Sequence, residues 1–99
     1  MKVMISQPMR GRDIKDIRKK WNEVKTLLES QGDIVIDNIT DFGTIDVNTT
    51  NISLVGLSYA INAMSRCDGV YFCKGWADAR GCLVEHLIAR EYGLTCIYE

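Results

Sequence analysis

No run of basic residues occurs in this 99-residue chain: 12 Lys and Arg stand against 13 Asp and Glu, for a formal net charge of −1. Without a cationic stretch the chain lacks the phosphate-neutralising surface on which nucleic-acid binding draws, so no nucleic-acid partner is expected. No apolar segment approaches membrane-spanning length, and the hydrophobic start Met-Lys-Val-Met-Ile-Ser-Gln-Pro is too short for a signal peptide. The expectation is a soluble, cytoplasmic protein with no membrane partner. Cys67, Cys73, Cys82 and Cys96 form no C-x-x-C pair, and the single histidine, His86, neighbours none of them at a usual zinc spacing. The cysteines therefore read as reduced core thiols, with no metal site expected. A dinucleotide fingerprint is absent too, so no redox cofactor is implied. With no linker, repeat or low-complexity segment, and 46% hydrophobic residues, residues 1–99 read as one domain with one core.

What is present is an alternation. Four short apolar runs, Lys2 to Ile5, Asp33 to Asp37, Gly69 to Cys73 and Leu94 to Tyr98, are rich in Val, Ile, Tyr and Phe, as buried strands are. Between the first two, Ile14, Ile17, Trp21, Val24, Leu27 and Leu28 recur at helical spacing, with Asp13 as N-cap and Gly32 as the stop. A second helix follows the Thr49-Thr50-Asn51 cluster with Leu54, Leu57, Ile61 and Met64 on one stripe. A third places Val84, Leu87, Ile88 and Tyr92 together before Gly93. The order β-α-β-α-β-α-β predicts an α/β fold with parallel strands, right-handed crossovers and helices on both faces: a small flavodoxin-like, or Rossmann-like, three-layer sandwich with strand order 2-1-3-4. Residues 38 to 50 form the one long loop.

In such a sheet, ligands sit beyond the strand C-termini where the strand order reverses, here between strands 1 and 3. The segment Ser6 to Arg12 enters the first helix, whose N-terminal N–H groups favour an anion; Ser6, Gln7, Arg10 and Gly11 are candidate ligand contacts, and Arg10 or Arg12 has the geometry to bind two oxygens. The plain alternative is a helix start with solvated arginines. After the third strand, Trp76 either stacks on a base or closes the sheet end. Glu85, one turn inside the third helix, falls at the border of the face carrying Val84, Leu87, Ile88 and Glu91. A partly desolvated carboxylate there can attack an anomeric carbon; the alternative is a first-turn Glu interacting with the helix dipole. His86, on the far side beside Arg90, reads as a solvated surface residue.

Three segments, Ser6-Gln7-Pro8-Met9-Arg10-Gly11-Arg12, Cys67-Asp68-Gly69-Val70-Tyr71 and Gly75-Trp76-Ala77-Asp78-Ala79-Arg80-Gly81-Cys82-Leu83-Val84-Glu85, resemble the DUF4406 group of small, often phage- or bacterium-encoded proteins. That group is similar to nucleoside 2-deoxyribosyltransferases and 2'-deoxynucleoside 5'-phosphate N-hydrolases. The resemblance spans nearly the whole chain. It implies Glu85, at the end of the Gly81-x-x-x-Glu85 step, as the nucleophile on C1' of a deoxyribose, and the Met9-Arg10-Gly11 segment as a loop near the nucleotide, with Met9 among the ligand contacts and Arg10 and the Gly11 backbone near sugar or phosphate. Two positions depart from the enzymes' pattern: Ala60 stands where they carry an Asp, and Ala79 where they carry Ser or Asp. Asp78 substitutes for the latter by a one-residue shift, or Asp41 or Asp46 of the long loop supplies the acid–base help. Asp68, before the third strand, lies at the wrong end of the sheet.

The expected function is a nucleoside- or nucleotide-binding protein that cleaves or transfers an N-glycosidic bond, with Glu85 and Asp78 as catalytic candidates and Trp76, Arg80 and Gly81 among the ligand contacts. The alternative is a pocket without turnover that sequesters a nucleotide-derived signal, as a phage counter-defence protein would. A homodimer or larger homo-oligomer is expected, with Leu54, Val55, Leu57 and Tyr59 of the second helix at the contact.

Overall fold

The computed structural model describes residues 1–38, 48 and 51–99. It contains β1 (Lys2–Ser6), α1 (Ile14–Ser30), β2 (Ile34–Ile36), α2 (Ile52–Met64), β3 (Gly69–Phe72), a 3-10 helix (Trp76–Asp78), α3 (Arg80–Glu91) and β4 (Thr95–Tyr98). The strands form one parallel sheet in the order β2-β1-β3-β4. This is the expected flavodoxin-like α/β sandwich. The strand ends differ by a residue or two: β1 continues through Ser6, which pairs with Phe72, and β2 shortens to three residues. Asp41 and Asp46 lie outside the described residues.

Alternation along the two central strands builds two cores. Val3, Ile5, Tyr71 and Cys73 point to one face and meet Ile17, Trp21, Val24 and Leu28 of α1. Met4, Val70 and Phe72 point to the other and meet Ala60, Ala63 and Met64 of α2 and Ala89 of α3. The α1 ends are written in the sequence. Asp13 accepts a hydrogen bond from the Lys15 amide at 3.0 Å. At the other end Gly32 takes φ +89°, letting the Asp33 amide reach back to the Leu28 carbonyl and that of Gly32 to Glu29. Gly93, at φ +73°, closes α3 the same way. Cys67, Cys73 and Cys82 are buried and all four cysteines are free; burial pushes the Cys73 thiol up to about 12, which leaves it an inert core group.

The apolar stripes of α2 and α3 enter the core only in part, through Met64 and, packed against it, Ile88. Of Leu54, Leu57, Ile61 and Met64, only Met64 is buried, and Tyr92 of α3 is 81% exposed. The sheet instead receives small residues, Ala60 and Ala63 from one helix and Cys82 and Ala89 from the other. Two apolar sides compete on each helix, and the one with small side chains allows the closer approach to a sheet whose own Met4 and Phe72 fill the gap. Among the described residues no helix is long and apolar enough to cross a membrane.

Candidate functional site

Because β1 and β3 are neighbours whose connecting helices lie on opposite faces, their C-terminal ends open a crevice, and Ser6 ends β1 there. Ser6 is buried, and its hydroxyl lies 3.4 and 3.5 Å from the two carboxyl oxygens of Glu85. The small Cys82 and Ala89 turn this side of α3 inward, so Glu85 points into the molecule rather than standing at the border of an apolar face. Burial pushes its carboxyl up to about 7, and donation from Ser6 pulls in the opposite direction without winning. The Cys82 thiol adjoins the same pair. Its pKa is raised first by burial, then lowered by a hydrogen bond with Ser6 and raised by the Glu85 charge. A carboxyl that titrates near neutrality, held by a single hydroxyl at the end of a parallel strand, is the clearest chemical feature of this edge.

The β1–α1 segment is braced from within. Gln7 is buried, its amide nitrogen donates to the Ile17 carbonyl at 3.1 Å and its oxygen accepts from Arg12 at 3.1 Å. Arg12 also donates to the carbonyls of Pro8 at 2.7 Å and Asp16 at 3.4 Å. Gln7 and Arg12 are thus committed to holding the loop. Between them the Arg12 amide reaches the Met9 carbonyl at 3.1 Å, and Gly11, at φ +76°, occupies the turn position that needs a left-handed residue. Met9 packs against the α1-side core. Arg10, at the turn's tip, is exposed and has no hydrogen bond or ion pair among the described residues. The anion expected at the start of α1 would meet the carboxylate of Asp13, which already caps that end.

The β3–α3 segment starts at Gly75, at φ +90°, where an added Cβ would lie 3.4 Å from the Pro8 ring; the two loops touch there. Trp76 turns to the β4 side. It packs with Phe72, His86 and Tyr98, with ring centroids 5.4, 4.3 and 5.5 Å away. Half-buried, it packs at the sheet end as one of its two sequence readings has it. His86, expected as a solvated side chain, is half-buried, stands edge-on to Phe72 at 5.0 Å and lies 2.7 Å from the Tyr98 hydroxyl through Nε2. Sequence reasoning missed this cluster because Phe72 and Tyr98 become neighbours only through the parallel register that pairs them. Asp78 is exposed on the 3-10 helix and makes no side-chain hydrogen bond or ion pair among the described residues, so none joins it to Glu85. Arg80 and Gly81 are exposed in the first turn of α3; Ala79 provides no side-chain cap, no acidic residue occupies that turn, and the space around Gly81 is open. Ala60 is buried against the sheet, and Asp68 accepts from the Lys2 amide at 2.9 Å at the opposite sheet end.

The structure therefore brings Ser6 to Glu85, and the Pro8 loop to Gly75. It leaves Arg10, Arg80 and Gly81 on the open rim, and holds Gln7 and Trp76 in packing roles. Among the described residues no three His, Cys, Asp or Glu side chains gather as a metal site would require.

A family model described as a domain of unknown function, DUF4406, matches residues 1–98, so the chain belongs to that family. No curated protein matches it. No solved structure does either.

Proposed function

We propose that this DUF4406 chain binds a nucleoside or nucleotide in the crevice between β1 and β3 and cleaves, or transfers, its N-glycosidic bond through Glu85. The observation that carries the reading is the Ser6–Glu85 pair: a carboxyl shifted to about 7 by burial, at the switch point of a parallel sheet. In the ionised form, a Glu85 oxygen attacks C1' of the sugar. The C1'–N bond breaks, its electron pair passes to the base, and the base leaves protonated by solvent. Water then attacks C1' of the glycosyl ester, the bond to Glu85 breaks and the carboxylate is restored, the water proton passing to solvent; a second base in place of water makes the reaction a transfer. The hydroxyl of Ser6 favours the ionised, attacking form. Arg10 and Arg80, on the rim, suit an anionic group on the ligand, and the uncapped α3 start beside Arg80 attracts one more than the α1 start does.

A second reading is a pocket that holds its ligand without turnover. It is favoured by the absence of any hydrogen-bonded second carboxylate beside Glu85 among the described residues: Ala60 is in the core, Ala79 has no acid, and Asp78 faces solvent.

One experiment separates the two. The purified chain is incubated with nucleosides, nucleoside monophosphates, cyclic nucleotides and ADP-ribose-type compounds, followed by thermal stabilisation and mass spectrometry. Free base that disappears in Glu85→Ala supports cleavage. Stabilisation with intact ligand recovered supports sequestration, and no stabilisation by any compound overturns both.

A further inference from the structure

We infer that Cys82 is a positioning residue for Glu85: its thiol donates to the Ser6 hydroxyl and so commits the one proton of that hydroxyl to the carboxylate. This rests on the reading of Glu85 as the attacking group and names what holds it ionised. A hydroxyl has one proton to give and two lone pairs to fill, and a buried one finds its partners inside the protein. Beside the aromatic and cysteine side chains of the core, the buried polar side chains among the described residues are Ser6 and Gln7. Gln7 is served at both ends, by the Ile17 carbonyl and by Arg12. Ser6 stands almost midway between the two oxygens of Glu85, at 3.4 and 3.5 Å. Both distances are long for a hydroxyl on a carboxylate, so Glu85 alone holds the direction of that proton weakly.

Cys82 supplies the missing constraint. It is 2% exposed, lies one turn before Glu85 on the inward side of α3, and its sulfur is hydrogen-bonded to Ser6. Two arrangements are open to that pair. A thiolate would draw the Ser6 proton away from Glu85, whereas a thiol gives its own proton to the Ser6 oxygen and leaves that of Ser6 for the carboxylate. Burial, joined by the nearby Glu85 charge, raises the Cys82 thiol above its ordinary range against the pull of Ser6, so the thiol arrangement is the one held at neutral pH. Each bond in such a chain polarises the next. The surrounding charged and titratable groups are otherwise engaged. Arg12 is tied to the β1–α1 loop, His86 turns to Tyr98, Arg80 stands on the open rim, and α2 has no charged residue. Asp78 makes no side-chain hydrogen bond or ion pair among the described residues, and Cys73, just after β3 and pushed up to about 12 by burial, stays neutral beside Cys82. An alanine, such as Ala89 two turns on, fills the same inward side without a proton to give.

The test needs no substrate, so it reads out whether or not base release is found, and its failure leaves the cleavage reading standing. In the full chain labelled at its Glu carboxyl carbons, NMR follows the Glu85 titration, assigned by its loss in Glu85→Gln. Cys82→Ala should move the midpoint up by about half a pH unit, the worth of one weak neutral hydrogen bond. Cys82→Ser, a stronger donor of similar shape, should return it to the wild-type value or below. Infrared spectroscopy of the wild-type chain gives a second readout. The Cys82 component of the S–H stretch, identified by difference against Cys82→Ser, should move to lower frequency as Glu85 ionises and stay fixed in Glu85→Gln. Should Cys82→Ala lose its fold, Cys82→Ser and the infrared shift decide. A midpoint unmoved in folded Cys82→Ala, a rise in Cys82→Ser, or an S–H band that does not follow the Glu85 titration would each overturn the inference.

Discussion

Helices α1 and α3 both begin at the C-terminal edge of the sheet, and they begin differently. At α1 the chain supplies its own anion: Asp13 caps the first turn, Asp16 adds a second acid there, and Arg12 is tied to three groups of the preceding loop and following turn. At α3 the cap residue is Ala79, the first turn has no acid, and Gly81 leaves open space beside the exposed N–H end. The first of these ends is closed by local sequence. The second keeps its dipole and donors turned toward the edge where Glu85 is half-buried. One start is capped by its own sequence and the other is left uncapped, the reverse of a loop reading that placed the anion at α1.

That contrast can be broken at graded cost. The largest expected effect is at Glu85: Glu85→Gln should lower base release by a factor of about 10³ or more, as loss of a covalent nucleophile does, while the far-ultraviolet circular dichroism stays native. The same substitution should change stability in the opposite sense. A folded-state pKa of about 7 against an ordinary 4.5 means that the native protein holds a proton the unfolded chain releases. Stability from this group is therefore full below about pH 4.5 and is lost as pH rises toward and through 7. Chemical denaturation should find Glu85→Gln more stable than the wild type by about 1–3 kcal/mol at pH 8, with no such gain at pH 4.

Smaller effects address the helix starts themselves. Asp13→Ala should cost about 1 kcal/mol in urea titration, the usual value of an N-cap carboxylate. Ala79→Asp should do the reverse, adding about 0.5–1 kcal/mol while weakening an anionic ligand measured by calorimetry; unchanged ligand affinity would remove α3 from the binding surface. Ser6→Ala, the subtlest, should raise the Glu85 pKa further, because the hydroxyl now favours the charged form. It should be read as a shift of the rising limb of the pH–rate profile to higher pH.

Much of the framework was legible because it is local. Asp13, Gly32 and Gly93 set helix ends through contacts within six residues, and the alternation of apolar runs with helices fixed parallel order without reference to any particular packing. Glu85 was legible as a position, one turn into the third helix, but its pairing with Ser6 was not, because nothing in either segment's own sequence names the other. What misled was periodicity on α2 and α3. Leu54, Ile61 and Tyr92 form apolar stripes by spacing, yet size decides which side a helix presents to a sheet already filled by Met4 and Phe72, and spacing holds no information on size.

Sequence alone determined the element order, the α1 cap, the chain reversals at glycine and the placement of an acid near the strand ends, since each depends on residues close along the chain. Tertiary structure decided the rest: that Gln7 and Arg12 brace a loop, that Trp76 and His86 join Phe72 and Tyr98, and that Glu85 is enclosed beside a single hydroxyl. Those outcomes depend on desolvation and on contacts between segments up to 79 residues apart, as Ser6 and Glu85 are, and no local pattern encodes the dielectric around a carboxyl.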